Sequence, residues 1–157
     1  MKFSSQEEYG LRCLLQIARH NASGSLTIPE IAWAEGLSIP YVAKLLRLLR
    51  RGGFIKSVRG QAGGYILARS PEQIIVGEVL AVLGGRLFEG NFCELHAGLM
   101  NLCTHSVDCS IRSLWSTVQR VVDQVLGKTT VQDLICGELE MSSLIGHRAD
   151  GLLQLSN

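Results

Sequence analysis

Ser38-Ile-Pro-Tyr-Val-Ala-Lys-Leu-Leu-Arg-Leu-Leu-Arg-Arg-Gly-Gly53 is the stretch on which the fold turns. Val42, Leu45, Leu46 and Leu49 fall at i, i+3, i+4 and i+7, the spacing of one buried helix stripe. Tyr41, Lys44, Arg47 and Arg51 fall on the other side. Ser38 is the expected N-cap, Pro40 suits the first turn, and Gly52-Gly53 stops the helix at Arg51.

Upstream, Leu11, Leu14, Leu15 and Ala18 predict a helix from Ser5 to about His20, capped by Ser4 or Ser5. Glu7 and Glu8 complement its positive end. After a turn at residues 21–25, Thr27, Pro29 and Glu30 open a short helix from Pro29 to about Glu35, ended by Gly36. A short helix, a glycine turn and a second helix with an exposed basic face describe a helix-turn-helix. Downstream, Phe54–Val58 and Tyr65–Ala68 flank Arg59-Gly-Gln-Ala-Gly-Gly64, a β-hairpin in the position of a wing. A phosphate-cradling loop would need a strand-to-helix setting and a fixed glycine spacing, and neither is present. The expected class is mainly α with a small β-hairpin wing: a winged helix-turn-helix plus a long dimerisation helix.

Charge divides the chain. Residues 1–70 carry ten Lys/Arg against four Asp/Glu, and residues 71–157 five against ten, so a net charge of +1 conceals +6 and −5. Six cations and no anion lie from Lys44 to Arg59. Such a run is an ordinary solvated face when met alone, but on a helix-turn-helix it points to duplex DNA. An apolar fraction of 46% with 18% charged residues is globular. No apolar run is long enough to span a membrane and the N-terminus has no signal-peptide core, so a cytoplasmic protein with reduced thiols is expected. No nucleophile–base pair or cofactor fingerprint suggests an enzyme.

In the second half, a helix is expected over Ile74–Leu83, then a loop over Arg86–Asp108 with at most a helical turn near Leu95–Met100. Ile111, Leu114, Trp115, Val118, Val121, Val122 and Val125 mark a helix from Ile111 to Leu126. Its stripe is too wide for one small domain to cover and is read as a dimerisation face. Thr129-Thr130 caps a short helix from Val131 to about Gly137, and the tail from Met141 shows little periodicity. The expected division is 1–84 DNA-binding domain, 85–110 cysteine loop, 111–137 dimerisation and short C-terminal helices, and 138–157 tail.

In the DNA face, Ser38 and Tyr41 at the positive end of the helix are placed to meet phosphates. Lys44 and Arg47 project into the groove or onto its walls, and Ala43 is small enough to meet a thymine methyl. Arg59 at the wing tip suits a minor groove. Gly63 and Gly64 complete the candidate set, chiefly through turn geometry. Cys93, Cys103 and Cys109 are separated by nine and then five residues within one loop. Thiolates are the soft ligands of iron–sulfur clusters, and the tight Cys-x-x-Cys pairs of structural zinc sites are absent. Cys13 and Cys136 lie among apolar helix residues and read as small hydrophobes.

The segment Tyr41-Val-Ala-Lys-Leu-Leu46, the wing Val58-Arg-Gly-Gln-Ala-Gly-Gly-Tyr65 with Leu67-Ala68, the three loop cysteines, Leu114-Trp115 and Thr129-Thr130 together resemble the Rrf-type transcriptional regulators, the group of IscR, NsrR and RirA. The resemblance covers roughly residues 1–137. It implies a homodimer on an operator duplex, with a [2Fe–2S] or [4Fe–4S] cluster held by Cys93, Cys103 and Cys109. IscR-like members take a fourth ligand from a histidine three residues after the last cysteine, where this chain has Arg112. Other members use an acidic residue at the start of the first helix, contributed across the dimer, which Glu8 matches, with Glu7, His96 and His105 as competitors. Where IscR-like members carry a promoter-discriminating glutamate, this chain has Ala43. The expected function is a DNA-binding regulator, a repressor, whose operator affinity follows a cluster sensing redox state, nitric oxide or iron. A cluster-free thiol-based regulator and a cluster-carrying redox protein are the alternatives.

Overall fold

The computed structural model describes residues 4–61, 63–86, 92–99, 103, 105 and 107–153. Its elements run α1 (Ser5–His20), α2 (Ile28–Glu35), α3 (Ile39–Arg51), β1 (Ile55–Val58), β2 (Gly64–Leu67), a 3-10 turn (Pro71–Gln73), α4 (Val76–Gly84), α5 (Phe92–Leu95), α6 (Ser110–Leu126), α7 (Val131–Ile135) and α8 (Glu138–Leu153). The chain forms two compact units, residues 1–85 with 125–157, and residues 86–124. Among the described residues no helix is long and apolar enough to cross a membrane.

In the first unit, Ser4 starts α1 with a reciprocal capping box. Its hydroxyl accepts from the Glu7 amide at 3.2 Å, and the Glu7 carboxylate accepts from the Ser4 amide at 2.7 Å. Thr27 and Glu30 repeat the device on α2, where the two Thr27 donors hold the Glu30 carboxyl below its usual range. Gly36, at φ +64°, supplies the left-handed turn between α2 and α3. Cys13, Leu14 and Ile17 of α1, Ile31 of α2 and Val42, Leu45, Leu46 and Leu49 of α3 are buried together with Phe54 and Leu83. Each such side chain contributes about 1.5–3 kcal/mol on burial.

The hairpin pairs antiparallel with Ile55 opposite Leu67 and Val58 opposite Gly64. A third segment joins it, for Leu26 exchanges both backbone hydrogen bonds with Tyr65, at 3.1 and 2.7 Å. This bridge ties the wing to the turn before α2.

Three expectations are corrected. The helix expected from Ile74 begins at Val76, because Ile74 and Ile75 are extended. They bridge to the 129–131 segment instead, through Val76 N–H to the Thr129 carbonyl and Val131 N–H to the Ile74 carbonyl. The helical turn expected near Leu95–Met100 lies earlier, at α5. The chain from Met141, read as a tail with little periodicity, lies within α8 as far as Leu153.

Arg148 holds α8 in place. Its Nη1 donates to Thr129 Oγ1 at 3.2 Å and to Asp133 Oδ2 at 3.0 Å. Burial pulls the Asp133 carboxyl upward, but the Thr130 amide and hydroxyl and Arg148 outweigh it and hold it below its ordinary 3.8. A carboxylate depressed in the folded state adds stability above its unfolded value and loses that contribution as the pH falls through its folded value. Amide exchange in α8, taken relative to the intrinsic rate at each pH, is therefore expected to accelerate below about pH 4 in the native chain. In Arg148→Met it should be faster at neutral pH and less acid-dependent, as hydrogen exchange with mass spectrometry would show.

Candidate nucleic-acid interface and cysteine centre

α3 lays its buried stripe on α1 and leaves Lys44, Arg47, Arg50 and Arg51 exposed. Ser38 occupies the N-cap position, but no side-chain hydrogen bond caps the helix, contrary to expectation. Its carbonyl instead accepts from the Tyr41 and Val42 amides, both at 3.1 Å. Tyr41 is half-buried and meets the Tyr9 ring edge-on at 6.1 Å, so its ring packs on the domain.

Arg59 is exposed at the wing tip, where Gly60 turns at φ +107° and accepts the Gly63 amide at 3.0 Å. A Cβ on Gly63 would lie 2.8 Å from the Gly60 carbonyl oxygen, and one on Gly64 2.6 Å from that of Leu26. Backbone packing thus accounts for both glycines. Two exposed residues of the same unit lie outside the sequence-based set. Arg69 lies over the Phe54 ring at 5.4 Å and pairs with Glu78 at 3.6 Å, bracing the base of the hairpin. Trp33 on α2 is 88% exposed, on the side opposite Ile31 and Ala32. Its angular position on the helix was the only available signal.

The second unit carries the three loop thiols. Cys93 sits in α5, Cys103 in the loop and Cys109 directly before α6, all half-buried and none in a disulfide. Cys109 Sγ accepts the Arg112 amide at 3.3 Å, so a position expected to concern a histidine ligand supplies a backbone donor to sulfur. Among the described residues no three His, Cys, Asp or Glu side chains are grouped as a metal site. The donor set has the chemistry of a cluster site, but these thiols do not stand assembled. Glu8 belongs to the first unit and pairs with Arg12 at 2.7 Å. His96 is exposed, stacked on Phe92 with Nδ1 2.8 Å from its carbonyl, and His105 is exposed. α6 leaves Ile111, Leu114, Trp115 and Val121 in solvent, with Val118, Val122 and Val125 half-buried.

Cys13 is a different thiol. It is fully buried, and burial, reinforced by the Glu35 charge, pushes it up to about 12. The thiolate is the reactive form. A maleimide titration of cluster-free protein under native conditions should therefore label the loop cysteines and leave Cys13 until denaturant is added. Labelling of Cys13 at the rate of Cys103 would contradict its place in the core.

Residues 3–137 match the family model described as "Rrf2: Iron-dependent Transcriptional regulator". The chain is 34% identical to the protein rrf2 of Nitratidesulfovibrio vulgaris over 140 residues, covering 86% of this chain and 87% of that one. Two solved structures superpose closely. CymR (YrzC), the global cysteine regulator of B. subtilis, gives a TM-score of 0.70 at 30% identity, covering 86% of this chain and 96% of that one. T. potens IscR gives 0.68 at 34%, covering 86% of each.

Proposed function

The chain belongs to the Rrf2 family of transcriptional regulators, and from that premise we propose that it is a homodimeric DNA-binding switch, a repressor, controlled at Cys93, Cys103 and Cys109. The observation that carries the DNA-binding half is the exposed basic face of α3 together with Arg59 at the wing tip. The amide end of α3, with no side chain capping it, faces phosphate, and Ser38 and Tyr41 contribute their hydroxyls there. Lys44 and Arg47 enter or line the major groove, and Arg59 enters the adjacent minor groove. The exposed stripe of α6 pairs with its copy in a second chain, since a patch of this size has no partner among the described residues of its own unit.

Control rests on the loop thiols. Cys93, Cys103 and Cys109, with Glu8 from α1 of the second chain in the dimer, would hold an iron–sulfur cluster. When bound, it supplies a centre whose oxidation state or integrity responds to oxidants, nitric oxide or iron supply. The family's description as iron-dependent supports this reading, as does the amide donated to Cys109 Sγ, a contact of the kind that tunes cluster sulfurs. Ligation would draw the 93–109 segment together immediately before α6, and so bias the spacing of two recognition helices across about 34 Å of duplex.

A second reading is favoured by one observation, that the described residues assemble no metal group. In it the same thiols respond directly, a reading supported by the likeness to Staphylococcus aureus CymR, a structure of which is of an oxidized form. Iron and sulfide counts separate the two.

Lys44→Ala is expected to weaken binding evenly across sequences and to lower the log–log salt slope by about 1. Arg47→Ala should cost about 1–3 kcal/mol on the preferred site and relax specificity. Fluorescence anisotropy over a salt series checks both. Unchanged slope and unchanged specificity would remove α3 from the interface.

A further inference from the structure

The first unit holds a cleft of about 230 Å³ between α1, α4, α7 and α8 that the DNA-binding face does not use and that shares only Glu8 with the proposed cluster site. Leu11, Leu80, Leu134, Met141 and Ile145 form its apolar walls, and Glu7 and Glu8 stand at its edge. Apolar walls take up apolar molecules, and roughly 150 Å³ is enough for benzene where such a cavity is enclosed. This cleft therefore accommodates one ring, or an equivalent aliphatic body, with a short arm.

The polar groups specify the arm. Thr129, the one hydroxyl in the lining, already donates to the Val125 carbonyl at 2.9 Å and accepts from Arg148 at 3.2 Å. The remaining polar side chains are carboxylates, which only accept hydrogen bonds when ionised. Glu7 uses Oε2 on Ser4, and Glu8 uses Oε1 on Arg12. A ligand must therefore present a donor, preferably cationic, and a carboxylate or phosphate would meet like charge.

The geometry points to a binding site for a small apolar amine, an effector site distinct from both the thiols and the recognition helix. α8 forms one wall through Met141 and Ile145 and is anchored by Arg148 to α7, so an occupant would tie the C-terminal helix to α1. Where a cluster takes Glu8, Glu7 is the carboxylate left to meet the amine.

Isothermal titration calorimetry of the full chain as purified, with 2-phenylethylamine, 2-phenylethanol and 3-phenylpropionate as probes, tests it. The amine should bind saturably below about 10 mM, the alcohol at least about tenfold more weakly, and the acid not at all. Ile145→Trp, and Leu80→Phe from the opposite wall, should each weaken the amine at least about tenfold. Glu7→Gln keeps the capping box, because glutamine serves there too, and should bring the amine down to the level of the alcohol. Glu8 is left unaltered because the proposed cluster uses it. No saturable binding, equal binding of amine and acid, or full binding by both wall variants would overturn the inference. So would amine binding that appears only as the protein is diluted to monomer, which would mean that a second copy fills the cleft.

Discussion

Phe54→Ala is expected to destabilise the chain by about 3–5 kcal/mol. Phe54 is 2% exposed and sits where α3 gives way to the wing. Its amide donates to the Leu49 carbonyl at 3.1 Å, and its carbonyl accepts from Ala68 at 2.9 Å, so its backbone ties the helix end to the hairpin base. Its ring packs on Gly52, where a Cβ would lie 2.5 Å from Cε2, and carries the Arg69 guanidinium on its outer face. Alanine preserves both backbone bonds and empties the space between them. The transfer and cavity terms then add, and Arg69 loses its platform. With a domain stability of about 5–15 kcal/mol, a loss of this size removes a large share of the total. A melting temperature lower by roughly 6–20 °C would follow. Phe54→Leu should recover much of the loss. A change under about 1 kcal/mol would mean that the α3–wing junction is not part of the core.

Gly64→Val should cost less stability but act more specifically on the wing. The Leu26–Tyr65 bridge brings the backbone of the α1–α2 turn against β2, and a Cβ at position 64 would stand 2.6 Å from the Leu26 carbonyl oxygen. The neighbour is backbone and cannot rotate away. Either the bridge opens or the strand shifts, at a cost of about 1–3 kcal/mol. Because α3 lies outside the disturbed region, its packing should survive while the wing moves. Circular dichroism would then show native helix content and a lowered melting temperature. DNA affinity should fall through loss of the Arg59 contact, making Gly64→Val resemble Arg59→Ala in salt dependence. Normal affinity in Gly64→Val would show that the wing is dispensable.

The elements that were legible share one property: apolar spacing and capping residues agree. Leu14, Ile17, Val42, Leu45, Leu46 and Leu49 occupy the core as their period requires, and Thr27 and Gly36 bound α2 as their chemistry requires. Failures occurred where local pattern and tertiary contact diverge. Ile74 and Ile75 continue an apolar run that spacing cannot distinguish from a helix, yet both are extended because they bridge to the 129–131 segment. α8 escaped notice because Gly146, Gly151 and the Ser142–Ser143 pair dilute its pattern. An ion pair between Arg148 and Asp133, fifteen residues apart, anchors it. The Leu26–Tyr65 bridge joins residues distant in sequence and leaves no periodic mark.

The candidate site divides in the same way. Lys44, Arg47 and Arg59 were readable because exposure follows from helix phase and turn position. The Ser38 side chain was misread as a cap because residue type alone does not say whether its hydroxyl turns inward. The cysteines were conspicuous by chemistry, but spacing carries no information on whether three thiols converge.

Iron and acid-labile sulfide per chain in anaerobically purified protein, measured together with DNA affinity, test the central claim most directly. A duplex selected by the protein from random sequence would be titrated at one salt concentration with cluster-loaded protein, with cluster-free protein and with Cys103→Ala. Iron and sulfide in equal amounts are expected, with a change in affinity of about 5- to 150-fold between loaded and cluster-free protein; the proposed switch requires both. Cys103→Ala should contain little iron and behave as the cluster-free form. Absence of iron and sulfide, or equal affinity in all three preparations, would contradict the switch.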